Sequence, residues 1–400
     1  MSNISQFFKG DTRKKNRKIF AGSQSVIWTA PSNTSEVDVH VWGGGGHGYS
    51  AGVSQPAQNR MGGGGGGYTG NTFVVGAGST IGVSVGGTAG TSTATITNPV
   101  GVSTLTSTGG QPGEPGTPAP TRGVGGGGSY TLHPSEPSAF VFTASGGKSY
   151  QNNIDSPSYP QPLKDNGTGA QGGGGAGFIY GPGGNGGVVP PTYAPNPTFF
   201  SIPQNRIVMS GSGGGGIRGN GGFGLNFDPP FTGGPGGGGG GFEPGDVGNQ
   251  DPNYLSIAQG GAGLSGVKMN IGQQDNNLTD SEWFYLEDIQ GYGGASGGVP
   301  MAGPPSNFDT PNSDIARSGL AGGGGGGAPR NMQYNSNGSQ LSAGNGGIFG
   351  GGGGGHNTAK GGDGGFAGGG GGGRYAAYRS LGIPNTISGA GGEGIIILYY

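Results

Sequence analysis

Nine uninterrupted glycine runs, at 43–46, 62–67, 125–128, 172–175, 213–216, 236–241, 322–327, 350–355 and 368–373, constrain this chain more than any other feature. Glycine loses more backbone freedom on folding than any other residue and brings no side chain to bury. A fold that keeps such runs must order them through backbone groups. The runs lack the every-third-position period of collagen, and their spacing is too irregular for a solenoid of fixed repeat. Glycine makes 107 of the 400 residues, and only 30% of the chain is apolar and 10% charged. A large apolar core is excluded by the first figure, and a disordered chain solvated by its charges by the second. No segment approaches the roughly 18 apolar residues of a membrane span, so no membrane insertion is expected.

One conformation orders polyglycine without side chains. The left-handed three-residue helix rises about 3.1 Å per residue and makes no internal hydrogen bonds. Its N–H and C=O groups point outward in three directions, so helices packed side by side can bond to one another. Buried backbone groups must be paired, and neighbouring helices supply the partners. Each bond nets about 1 kcal/mol, close to the ordering cost per residue. Stability then requires many helices acting together, and non-glycine residues are tolerated only at the faces of the array.

The two ends of the chain read as strands. Val26-Ile27-Trp28 is a short β-rich run, and Glu36–Trp42 alternates polar and apolar, placing Val37, Val39 and Val41 toward a core. Thr72–Val75 and Ile81–Val85 read as two more strands, separated by Gly76–Ser79. The chain closes on Ile395–Tyr400, a continuous apolar run suited to a buried strand. Strands at both termini predict that the ends meet in one sheet. The expected fold is mainly β and irregular: a small β-sandwich of N- and C-terminal strands, a bundle of packed polyglycine II helices with long loops, and almost no α-helix. Asp280–Ile289 is the best candidate for a helical turn. The divisions are an arm at 1–20, a strand region with the first glycine runs at 21–98, a polyglycine region at 99–390, and a final strand at 391–400.

The arm carries Lys9, Arg13, Lys14, Lys15, Arg17 and Lys18 against the lone acid Asp11. It opens on Ile4-Ser5-Gln6-Phe7-Phe8, an apolar cluster that needs a surface to bury it. Docking is therefore preferred to nucleic-acid binding, with Ile4, Phe7, Phe8, Lys14, Lys15 and Arg17 as the docking residues. No secretory signal is read in residues 1–30.

Signs of chemistry are weak. Cysteine is absent, so thiolate metal sites and cysteine nucleophiles are excluded. The G-x-S-x-G pattern occurs at Gly48–Gly52 and Gly294–Gly298, but this composition yields about two or three matches by chance. Gly147-Lys148-Ser149 ends like a phosphate loop but lacks the glycine that opens that motif upstream. His40, His47, His133 and His356 are scattered, and Glu282, Glu287 and Asp288 form no convincing acid–base pair. No catalytic residue, metal or cofactor is expected. The informative side chains are aromatic and sit beside prolines in the loops. Tyr150, Tyr159, Tyr193, Phe199, Phe200, Trp283, Phe284 and Tyr285 are the candidate contact residues, because rigid rings give large contact area at low entropy cost.

Trp28-Thr29-Ala30-Pro31, Val37–Trp42 running into Gly43–Gly46, Gly62–Gly67-Tyr68 followed by Phe73–Val75, the Gly78–Gly87 hairpin, and the closing Gly391–Tyr399 together carry a resemblance. The chain resembles the glycine-rich tail-fibre and receptor-binding proteins of tailed bacteriophages. That resemblance implies a β-base, a polyglycine-helix layer and loops that contact the bacterial surface. It also implies a virion location after assembly in the host cytoplasm. The expected partners are other virion tail proteins and a bacterial surface receptor, either an outer-membrane protein or a glycan, with a homotrimer if the fibre is trimeric. The expected function is adhesion to the host without chemistry. A purely structural fibre or tail-connector role is the alternative. An ice-binding protein built on polyglycine helices is a third reading, for which only Thr91–Thr97 hints at a threonine face.

Overall fold

The computed structural model describes residues 16–49, 61–113, 123–136, 141–149, 172–179, 181–187, 208–209, 214–216, 226–227, 341–354, 359–373 and 388–400. Their regular structure is all β: β1 (Arg17–Ala21), β2 (Gln24–Thr29), β3 (Glu36–Trp42), β4 (Tyr68–Val74), β5 (Thr80–Val85), β6 (Ser92–Asn98), β7 (Gly101–Ser107), β8 (Gly128–Thr131), β9 (Phe142–Ala144), β10 (Val208–Met209), β11 (Asn226–Phe227), β12 (Leu341–Ser342), β13 (Ala359–Lys360) and β14 (Ile395–Tyr399). Two five-stranded antiparallel sheets form a sandwich, one ordered β1-β14-β3-β4-β9 and the other β2-β5-β6-β7-β8. The helical turn expected at Asp280–Ile289 lies outside the described residues.

Alternation decides which side chains meet between the sheets. Val37, Val39 and Val41 are fully buried there, beside Phe73, Ile81, Val83, Ile96, Leu105, Ile396 and Leu398. The chain ends do meet: β14 lies between β1 and β3, with Ile397 opposite both Ile19 and His40. Because β14 is buried on both faces, its apolar run need not alternate. Residues 17–20, read from sequence as the end of the arm, belong to β1. The strands around Gly76–Ser79 do not pair with each other. β4 lies in one sheet and β5 in the other, so the segment between them crosses the sandwich.

Beyond the sandwich, the strands continue into a glycine array whose bonding repeats every third residue. In the run 62–67, the N–H groups of Gly63 and Gly66 donate to Gly370 and Ala367, those of Gly64 and Gly67 to Gln111 and Thr108, and that of Gly65 to Gly147, at 2.6 to 3.0 Å. Gly62 N–H donates to the Ser149 hydroxyl at 3.0 Å. The carbonyls of Gly63 and Gly66 accept from Gly174 and Gly177, those of Gly64 and Gly67 from Gly46 and Gly43, and that of Gly65 from Gly126. Six neighbouring segments thus surround one central helix, which is polyglycine II packing.

Glycine is needed here for closeness rather than for backbone conformation. No glycine of 62–67 takes a positive φ. A Cβ at Gly62 would stand 2.5 Å from the Gly172 carbonyl oxygen, and Cβ atoms at 63 through 67 would stand closer still to neighbouring backbone. The array extends through Gly175–Gly184, Gly184–Gly216, Gly351–Gly215, Gly352–Gly369, Gly362–Gly353 and Gly389–Gly371 bonds. Segments that are not glycine runs also take part, including 108–111, 145–149 and 343–347. Their larger residues stand at its faces, where Asn345 and Lys148 are exposed. The runs 236–241 and 322–327 lie outside the described residues.

Candidate functional site at the loop end of the bundle

The two ends of the glycine bundle are built differently. At the sandwich end, the chain reverses through tight Gly-x-x-Gly turns. Gly90 N–H donates to Gly87 O, Gly350 to Gly347 and Gly368 to Gly365, each at 2.8 Å. The third residue of each turn, Ala89, Phe349 or Ala367, takes a positive φ of 56°, 63° or 59°, as the second central position of a type II turn requires.

The turn at Ala89 joins β5 to β6 of the second sheet, whereas the turns at Phe349 and Ala367 close onto the outer face of the first sheet. Trp42, Tyr68, Ile395 and Ile397 are buried there against Phe178, Phe349, Ala176 and Ala367. The Trp42 and Phe349 rings stack at 4.7 Å, and Trp42 Nε1–H donates to Gly177 O at 2.9 Å. Tyr68 lies across Gly70, where a Cβ would overlap its hydroxyl, and that hydroxyl sits 2.8 Å from His40 Nδ1. His40 is thus a packed, hydrogen-bonded group of the bundle's base.

At the opposite end the chain leaves and re-enters the described residues at points tied together by backbone bonds. Tyr49 N–H donates to Met61 O at 2.8 Å and Gly373 N–H to Tyr49 O at 3.1 Å. Gly113 N–H donates to His47 O at 3.0 Å, Gly123 to Pro112 O at 3.0 Å and Ser149 to Gly123 O at 2.8 Å. Lys148 N–H donates to Asn185 Oδ1 at 3.0 Å. The roots of segments 50–60, 114–122, 150–171 and 374–387 are therefore gathered on one surface. That surface stands about 20 Å beyond Trp42, from the rise of a run of six residues. Gly187, where segment 188–207 begins, follows Gly186, whose N–H donates to Lys148 O at 2.9 Å.

The N-terminal end has the reverse placement. Arg17 pairs with Tyr399, and Ala21 pairs with Ile395, the residue of β14 next to the bundle. Asn16 exchanges backbone bonds with Tyr400. Segment 1–15 thus joins the fold at the end of the sandwich remote from the glycine bundle.

Of the sequence-derived contact residues, Tyr150, Tyr159, Tyr193, Phe199, Phe200, Trp283, Phe284 and Tyr285 all lie outside the described residues. So do Ile4, Phe7, Phe8, Lys14 and Lys15; Arg17 alone of the docking set is described, in β1. What is described is Ser149, the residue before Tyr150 in the chain, anchored by its bonds to Gly123 O and Gly62 N–H. Segment 129–171 reads from sequence as a single long loop. It contains most of β8, all of β9 and the bundle segment 145–149, and the stretch outside the described residues begins at Tyr150. Phe178 and Phe349 escaped the sequence reading. The Gly-x-x-Gly spacing around Phe349 is the signal that marks it as a turn tip. Among the described residues, no three His, Asp or Glu side chains come together in a way that could hold a metal ion.

A family model described as a glycine-rich domain matches residues 21–269. No curated protein matches the chain.

Proposed function

The chain belongs to the glycine-rich domain family, and from that premise we propose that it is a bacteriophage tail-fibre or tip adhesin. In this reading the arm with Phe7 and Phe8 docks to other virion tail proteins. The loops at the far end of the bundle meet a receptor on the host surface, and the action is adhesion without chemistry. The observation that supports it is the polarity of the molecule: loop roots gathered on one end, the root of the arm at the other, and a lattice of backbone bonds between them. Loops on a rigid scaffold are where binding residues concentrate, and repeated weak contacts on a virion add up through multivalency.

The test is a phage in which 150–171 is replaced by a short glycine–serine linker. The expected result is normal particle yield with adsorption to host cells reduced at least tenfold. Normal adsorption would favour the purely structural alternative, a fibre or tail connector.

One observation bears on the ice-binding reading. The outer face of the second sheet aligns Ser25, Ser84, Thr93, Thr106 and Ser129 in one row, and Thr95, Thr104 and Thr131 in the next. A sheet twists by roughly 20–25° per strand, so these rows turn away from a common plane and match a flat lattice poorly. Absence of thermal hysteresis is the expected outcome.

A further inference from the structure

The edge of the second sheet differs from the other sheet edges. β2 pairs on one side with β5, in unbroken register from Gln24 opposite Val85 to Thr29 opposite Thr80. Among the described residues, nothing pairs with its other side. Proteins protect such edges with charge, proline, bulges or shortness. β1 carries Arg17 and Lys18, and β8 and β9 have four and three residues. β2 has six residues, no charge and no proline, and it exposes Val26 at 40% and Ile27 at 73%.

The sequence of β2 is also self-complementary. Residues opposite one another in an antiparallel pair point to the same face. A two-fold axis through such a pair must therefore set one residue against its own copy. Centred on Ile27, the strand Ser25-Val26-Ile27-Trp28-Thr29 matches itself class by class. Ile27 meets Ile27 of the second copy on the outer face, and Ser25 meets Thr29 there. Val26 meets Trp28 on the inner face, where the Trp28 ring already packs 5.1 Å from Tyr400. A centre at Val26 would instead set Ser25 against Ile27 and Gln24 against Trp28. A centre at Trp28 would set Ile27 against Thr29. Aromatic–β-branched pairs such as Trp28–Val26 and hydroxyl pairs such as Ser25–Thr29 are among the stabilising cross-strand pairs, and the strand's neutrality removes the repulsion that a charged edge suffers against itself.

We propose that β2 pairs antiparallel with β2 of a second copy across a two-fold axis at Ile27, joining two five-stranded sheets into one of ten strands. The contact consumes both exposed β2 edges, so it closes at two copies. One strand edge buries less than the roughly 1,200 Å² of a standard interface, which makes this a weak dimer that dissociates on dilution. Antiparallel pairing points the two glycine bundles in opposite directions. The dimer is therefore independent of the adhesin reading, and a homotrimer on a fibre would use other surfaces.

Sedimentation and light scattering of the full chain across the micromolar range test the proposal. The expected mass rises from one copy to two with concentration. Ile27→Lys sets two charges against each other at the axis and weakens association at least tenfold. Val102→Lys, on the same outer face but at β7, leaves association unchanged. Both positions are exposed, so the folded circular dichroism spectrum should persist in each variant. The chain has no native cysteine, so oxidised Ile27→Cys cross-links as a dimer much faster than Gln24→Cys, which faces no copy of itself. A single-copy mass throughout, assemblies larger than two, association unaffected by Ile27→Lys, association abolished by Val102→Lys, or equal cross-linking at both thiols would each overturn it.

Discussion

The physical requirement on a glycine in this protein is set by what stands opposite its missing side chain. At Gly65 a Cβ would overlap the Gly175 carbonyl, a rigid backbone group in a neighbouring helix. At Gly127 nothing lies within 4 Å of the same position. The two alanine substitutions are chemically identical and should diverge. Gly65→Ala should cost about 3 kcal/mol, because overpacking against backbone cannot relax. Gly127→Ala should be neutral or stabilising by up to about 1 kcal/mol, since it restricts the unfolded chain. Thermal unfolding of the pair measures the difference, and equal losses would refute the close-packing account. Asn71 presents the opposite problem. It is buried between the sheets, and neither polar atom of its amide has a hydrogen-bond partner. An unpaired buried polar group costs about 1–3 kcal/mol, so Asn71→Val should raise the unfolding temperature by several degrees.

Strands, runs and turns differ in how plainly they are written in the chain. The alternation of Glu36–Trp42 and the apolar run at Ile395 identify β3 and β14, because burial on one face or on both leaves a direct imprint on residue choice. β1 was hidden: Arg17 and Lys18 read as part of a basic arm, and only pairing with β14 makes them strand. β8 and β9 were hidden for another reason, since strands of three or four residues are too short to show a period. The Gly-x-x-Gly turns are legible once known. Ala89 occupies a positive-φ position at 56°, where an L-residue is strained and glycine is not. Ala89→Gly should therefore stabilise by about 0.5 kcal/mol, net of the added chain entropy. The turn tips also matter through what they cover. Trp42→Ala would remove a ring packed on Phe349, Phe178 and Tyr68, together with the bond to Gly177 O. The expected loss is about 3–5 kcal/mol, measured by denaturant unfolding.

At the scale of the whole molecule, the described residues combine apolar packing on both faces of the first sheet with a lattice of amides beyond it. Exposing apolar surface raises the heat capacity of unfolding, whereas exposing amides lowers it. Calorimetry should therefore give a heat-capacity increment per residue well below the usual 12–15 cal/mol/K or so. A value in the normal range would mean that the glycine bundle does not unfold with the rest. The glycine runs and the terminal strands could be read directly from the chain, because each is a local property of composition or period. Which helix neighbours which could not. A glycine run carries no side chain to encode a partner, so the six neighbours of 62–67 are selected by where the strands and turns deliver each segment. The same holds for the polarity of the molecule. Gathering the loop roots at one end and the N-terminal root at the other depends on how strand directions combine across both sheets, which no stretch of sequence records alone.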